Sequence, residues 1–291
     1  MLRRKSAQAA WSLLTKRASN RPIRGAAAAA RNLLRQRAYP ALCEGLACIG
    51  HPLLVARAKD VTVQTAARSC LVFAPHPDDE TLGCGATIMR KLAAGTRVEI
   101  VIATDGRHSV HSDKMSADAL AEIREEEARC AAAVLGLPSE NIVFLRFEDG
   151  RLTDDRQTLR DHLFAIFDQI NPAEIFVSSI IDSHPDHRVL AELGRELVQS
   201  RHSHFPTLYE YPIWFWDPLR WRVSELAGLR IRIVRTEEFL KRKYEAIAAY
   251  RSQLANLSGE TGWATLRQGF VRQFLRPEET FFEVTVPRSP K

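Results

Sequence analysis

Acidic residues are almost missing from the first fifth of this 291-residue chain. Through Lys59 it holds twelve Lys and Arg against one acid, Glu44, a net +11, while the remainder holds 29 bases and 34 acids, a net −5. The formal charge of +6 therefore belongs to an N-terminal arm and not to the body, and no nucleic-acid partner is expected. Cysteine is scarce as well. Cys43, Cys48, Cys70, Cys84 and Cys130 are odd in number and contain no CxxC pair, which argues against a secreted disulfide framework and for a reducing cytoplasm. Cys43, Cys48 and His51 lack a fourth ligand nearby, so they read as buried thiols and a surface histidine rather than a zinc cluster. There is no run of 18 apolar residues to cross a membrane, and Lys16 and Arg17 interrupt the one early apolar stretch that a secretory signal would need.

What is present is enough hydrophobic residue, 45%, for one large α/β domain or two small ones. The arm, residues 1–60, mixes its bases with Trp11, Leu13, Leu14, Leu33, Leu34 and the alanine run 26–30, a pattern for one or two amphipathic basic helices. Such helices pack on their own domain with a solvated basic face, or reach an anionic membrane surface through residues 1–59; the Arg-rich, acid-poor composition is also that of a transit peptide. From residue 61 to 291 one domain is expected. Its strands alternate with helices: strands at Leu71–Ala74, Arg97–Thr104, Ile142–Phe147 and Glu174–Ser178, helices at Thr81–Ala94, Ser116–Leu135, Thr158–Gln169 and Asp186–Gln199. Later strands at Leu208–Tyr211 and Phe281–Val286 flank a helix at Thr236–Tyr250. This is the pattern of an α/β fold with a Rossmann-like, doubly wound, mostly parallel sheet and helices on both faces, where ligands bind beyond the carboxyl ends of the strands.

Two segments occupy such places. Pro75-His76-Pro77-Asp78-Asp79-Glu80 follows the first of these strands and opens a helix; Ser183-His184-Pro185-Asp186-His187 follows the fourth and does the same. Imidazole and carboxylate are ligands for zinc, and a catalytic zinc takes three protein ligands with one position open. His76 and Asp79 are three residues apart, one helical face, and His187 is the natural third ligand from across the sheet, giving one Zn2+ per chain. Asp78 is then a free carboxylate suited to the general-base role. His184, protonated or donating, would stabilise an oxyanion or protonate a leaving amine, and Asp186 would orient His184 or His187. A single His-Pro-Asp-Asp is weak evidence, since aspartate after a strand is an ordinary helix cap; two such segments at matching loops are not.

The two segments together resemble the PIG-L / LmbE-like family of zinc-dependent N-acetylglucosaminyl deacetylases. Thr104-Asp105-Gly106, Arg124-x-x-Glu127 with Leu135-Gly136, Asp149-Gly150, and Lys241 with Ser252-Gln253 extend the resemblance over roughly Cys70 to Gln253. It implies a cytoplasmic hydrolase, peripheral to the membrane at most, removing an N-acetyl group from an amino sugar or a lipid- or nucleotide-linked conjugate. Zinc would be held by His76, Asp79 and His187, with Asp78 as base, His184 as electrophile or acid, and Arg124 and Asp149 on sugar hydroxyls. Two departures stand out: Asp182 occupies a position where some relatives have tyrosine, and Arg107 one where an acid is common, which points to a different or anionic substrate. Against this stand a zinc amidase acting on a non-sugar N-acyl substrate, and a catalytically idle protein that binds through its basic arm. The aromatic stretch Tyr209, Tyr211, Trp214, Phe215, Trp216 reads mainly as core.

Overall fold

The structure is a computed structural model and describes residues 50–201, 205–216 and 228–285. The expected arm helices, their membrane contact, Cys43 and Cys48 lie outside these residues, apart from the short stretch 50–59. Among the described residues no helix is long and apolar enough to cross a membrane.

Eight strands form one sheet in the order β1-β7-β8-β6-β5-β2-β3-β4. They are β1 (Lys59–Asp60), β2 (Cys70–Ala74), β3 (Val98–Thr104), β4 (Ile142–Phe147), β5 (Glu174–Ser178), β6 (Thr207–Tyr211), β7 (Arg230–Arg235) and β8 (Glu278–Val284). The run β6-β5-β2-β3-β4 is parallel throughout, and β8 pairs antiparallel with both β6 and β7. β2, β3 and β5 are buried at every residue, as strands covered on both faces must be. Successive residues of β2 enter different cores. After the short helix α1 (Thr62–Ala66), Val72 and Ala74 of β2 join helices α2 (Asp79–Ala93), α3 (Ala117–Leu135) and α6 (Leu240–Ala248) on one face; Leu71 and Phe73 join α4 (Arg156–Ile170) and α5 (Pro185–Gln199) on the other. The fold is therefore a mixed α/β sheet between helical layers.

β2 and β5 are neighbours, with Phe73 opposite Val177. The chain leaves β2 through α2 toward β3 and leaves β5 through α5 toward β6, in opposite directions along the sheet. That divergence opens a crevice at the carboxyl ends of the two strands, and both histidine-aspartate segments follow those ends.

Two strands go beyond the elements expected from sequence. β7, Arg-Ile-Arg-Ile-Val-Arg, has the alternation of a half-buried strand, and Ile231 and Ile233 are its inward residues. The two-residue β1 carries no such signal. The expected 236–250 helix divides into a 3-10 turn, Glu237–Phe239, and α6. His51, expected on the surface, is 3% exposed: its ring lies 5.3 Å from that of Trp216, and its Nε2 lies 3.6 Å from Glu278.

Candidate active site

The His-Pro-Asp-Asp-Glu segment folds into the start of α2 through a strained residue. Asp78 holds φ +129°, a region disfavoured for a residue with a Cβ and one that persists only where its surroundings impose it. Those surroundings are on both sides. Asp78 N–H donates to Glu80 Oε2 at 3.2 Å, and Asp78 Oδ2 faces Arg124 Nη2 at 3.2 Å. Glu80, 1% exposed, in turn accepts from Thr81 and Tyr250 hydroxyls and so anchors this turn to the core. Arg124 also donates to the carbonyls of Pro77 and Gly106. Gly106 has φ +67°, and a Cβ there would lie 2.6 Å from the guanidinium, so glycine is what lets Arg124 reach across.

Around the imidazoles the carboxylates are arranged by nitrogen. Asp79 Oδ2 lies 3.2 Å from His76 Nδ1 and 3.3 Å from His187 Nε2. His76 Nε2 faces Asp149 Oδ1 at 3.1 Å and Asp186 Oδ2 at 3.2 Å; His187 Nδ1 faces Asp182 Oδ2 at 3.0 Å. Asp186 is held in place by N–H groups of Gly150 and Leu152. The side chain of Asp186 thus serves His76, and the carboxylate that orients His187 is Asp182. His184 caps α5: its Nδ1 accepts the Asp186 N–H at 3.3 Å, which leaves the proton on Nε2.

The charge states follow from burial and neighbours. Burial opposes ionisation of Asp79, but His187 and His76 override it and hold the carboxyl well below its ordinary range. Burial likewise opposes a charged His187, yet Asp79 and Asp182 raise it to about 9. Burial pushes Asp78 up to about 8 against the pull of Arg124, and the neighbouring carboxylates of Asp79 and Glu80 push the same way. Half-buried His184 goes down to about 4, through burial first and then the adjacent His76 and His187. It is a neutral imidazole near pH 7, with a donor Nε2.

Can these residues hold a metal? Fully buried His187 Nε2 makes no hydrogen bond although Asp79 lies 3.3 Å away. With the Nδ1 proton directed at Asp182, the Nε2 lone pair meets a carboxylate, and a proton or a cation must lie between them. The ligand atoms of His76, His184 and His187 all fall within 4.8 Å of one another, as do those of His76, Asp149 and Asp186. Borderline nitrogen and carboxylate donors of this kind suit zinc.

His76, Asp78, Asp79, Asp149 and His184 line an ionic floor of a cavity of about 310 Å³, with His187, Asp182 and Asp186 buried behind them. Arg124 and Asp149 lie on it, with Arg124 engaged to Asp78 and Asp149 to His76 and to the His108 N–H. Arg107 is turned away to Asp105 at 2.7 Å and Asp118 at 2.9 Å, and it does not line the cavity. The buried lysine of α6 is Lys243; Lys241 is exposed. Tyr209, Tyr211, Phe215 and Trp216 are core, while Trp214, 37% exposed, faces the cavity. Asp182 and Tyr250 are the site's supports that sequence reading did not assign; the signal for Asp182 was its place two residues before His184.

Residues 71–198 match the family model described as PIG-L, GlcNAc-PI de-N-acetylase. They form a PIG-L family domain. The chain is also 31% identical over 134 residues to the diacetylchitobiose deacetylase of Thermococcus kodakarensis, covering 45% of this chain and about half, 49%, of that relative's length. A probable N-acetyl-α-D-glucosaminyl L-malate deacetylase 2 of Bacillus cereus is 27% identical, with 67% of this chain and 87% of that protein covered. Among solved structures, the N,N'-diacetylchitobiose deacetylase of Pyrococcus horikoshii aligns with a TM-score of 0.59 at 25% identity, over 75% of this chain and 84% of that one. All the PIG-L-segment residues named at the floor, from His76 to His187, fall within the matched range.

Proposed function

We propose that this chain is a zinc-dependent N-deacetylase acting on an amino sugar or sugar conjugate, at the reversal point of a Rossmann-like sheet. The observation that carries the reading is the unsatisfied Nε2 of His187, aimed at the carboxylate that also faces His76. His76, Asp79 and His187 would hold the metal, and sugar deacetylases among the relatives favour this chemistry. Zinc, when bound, supplies a Lewis acid that polarises the amide carbonyl and acidifies water.

The chain's own groups do the rest. Asp78, raised toward neutrality, takes a proton from the attacking water and can release it again, since a base works best when its pKa lies near the working pH. Arg124 fixes the Asp78 carboxylate in place. His184 Nε2–H donates to the charge developing on the amide oxygen, and a neutral donor there costs no reorganisation. Asp149 and Asp186 keep His76 oriented, and Asp182 does so for His187. Asp149 and Arg124, both in the cavity lining, would meet sugar hydroxyls.

The test pairs zinc content with deacetylation of a panel of N-acetylated amino sugars. Asp79→Ala should lose zinc. Asp78→Asn should keep zinc and lower kcat by roughly 10²- to 10⁴-fold. If Asp78→Asn retains full activity, the base lies elsewhere; if wild type hydrolyses no acetamido sugar, the substrate class is wrong.

A further inference from the structure

The cavity of about 310 Å³ lies at the small end of ligand sites, and its lining is of two kinds. Beside the ionic groups, the lining has a wall of Ile213, Trp214, Ala264, Thr265, Leu266 and Phe270, all beyond the PIG-L-matched segment, with Ser109 and Gln253 adding polar atoms; this wall is called the mouth below. Trp214 stacks on Phe270 with centroids 4.9 Å apart and planes at 24°, and still leaves 37% of its surface exposed. The platform is held stiffly, because the N–H groups on either side of Trp214, those of Ile213 and Phe215, both donate to buried Asp182 at 3.1 and 2.9 Å. A rigid aromatic surface offers contact area at little entropic cost.

The lining cations Arg124 and His108 are engaged, and so is Arg107. Arg124 faces Asp78, Arg107 faces Asp105 and Asp118, and His108 lies 3.0 Å from Glu148. The lining around Trp214 thus presents an aromatic face and the Thr265 hydroxyl, and exposed Arg267, next to Leu266, is not part of it. On the reading given under Proposed function, we infer that Trp214 and Phe270 form a second subsite that takes an uncharged pyranose linked to the N-acetylated sugar. The C–H face of that ring lies on the Trp214 indole and its hydroxyls face the polar rim.

The experiment compares the zinc-loaded enzyme on N-acetylglucosamine, N,N'-diacetylchitobiose and N-acetylglucosamine 1-phosphate. Wild type should prefer the disaccharide. Trp214→Ala should lower the disaccharide-to-monosaccharide ratio of kcat/KM about tenfold, through KM, the worth of one aromatic contact. Phe270→Ala should move the ratio the same way, and Trp214→Phe should restore most of it. A ratio unmoved by Trp214→Ala, or a preference for the 1-phosphate, overturns the subsite. Calorimetric binding of the disaccharide to Asp78→Asn, with and without Trp214→Ala, separates this from catalysis. If no sugar is hydrolysed yet Trp214→Ala weakens that binding, the deacetylase reading fails and the subsite stands; if the disaccharide does not bind, the subsite falls.

Discussion

Three donors converge on the two oxygens of Asp182: His187 Nδ1 and Ile213 N on Oδ2, and Phe215 N on Oδ1. The carboxylate is 1% exposed and burial pushes it up, against the hydrogen bond and charge of His187. One residue therefore sets the tautomer of an imidazole on the floor and the backbone of an aromatic wall at the mouth. Asparagine has nearly the same shape but a single acceptor oxygen, so Asp182→Asn must leave one of the three donors facing an amide NH2. The expected outcome is a roughly 10- to 100-fold weaker zinc affinity in competition with a chelator, the usual cost of losing an orienting carboxylate. KM should rise as well, whereas a purely structural role would lower melting temperature and leave both quantities alone. Zinc affinity within twofold of wild type would refute the positioning role.

At the scale of elements, α2 is clamped by a buried ion pair set against its backbone. Lys243 Nζ donates to the Leu82 carbonyl at 2.7 Å and pairs with Glu279 at 2.7 Å, while Glu279 accepts the N–H groups of Ala86 and Thr87 at 2.8 Å. The small residues between them have a reason: a Cβ on Gly83 would lie 2.4 Å from the Tyr211 ring. Lys243→Met strands Glu279 as an unpaired buried carboxylate and should cost about 3–5 kcal/mol by denaturant unfolding, with Lys243→Met/Glu279→Gln recovering much of it. Equal losses in the single and double variants would contradict that account. None of this clamp is visible in sequence, because Lys243 and Glu279 are 36 residues apart and the periodicity of α6 says only that one face is buried. Local signals served better: the all-apolar β2, the apolar Ile175–Val177 centre of β5, the Ser116 cap and Gly136 stop of α3, and the two histidine-aspartate segments are each legible within a few residues. Sequence spacing brought His76, Asp79 and His187 together, and the structure sets them around one carboxylate oxygen. What it does not encode is the partner of each imidazole nitrogen. Asp186 lies next to His187 in the chain yet its carboxylate meets His76 across the crevice, a consequence of how α5 starts.

Across the whole molecule, the division of labour follows the chain: the family segment supplies the ionic floor, and β6 onward supplies the mouth. Such a floor is costly to fold without a cation. Asp78, Asp79, Asp149, Asp182 and Asp186 are all at most 8% exposed, and apart from Arg124 on Asp78 only protonated imidazoles compensate their charge. An ion bound by the folded state and not by the unfolded chain adds stability as the logarithm of its saturation, about 4 kcal/mol at a thousandfold excess over Kd. For a chain of this size each kcal/mol moves the melting temperature by about 2–4 °C. Chelation should therefore lower it by roughly 8–16 °C, and added zinc should restore it with an end point at one equivalent. The end point discriminates between ligand sets, because two groups sharing His76, one with His184 and His187 and one with Asp149 and Asp186, each bring their ligand atoms within 4.8 Å of one another. A second tight equivalent that Asp149→Asn removes would assign an ion to that group as well, whereas a melting temperature indifferent to both chelator and zinc would mean that the floor is held by protons alone and the metal reading is wrong.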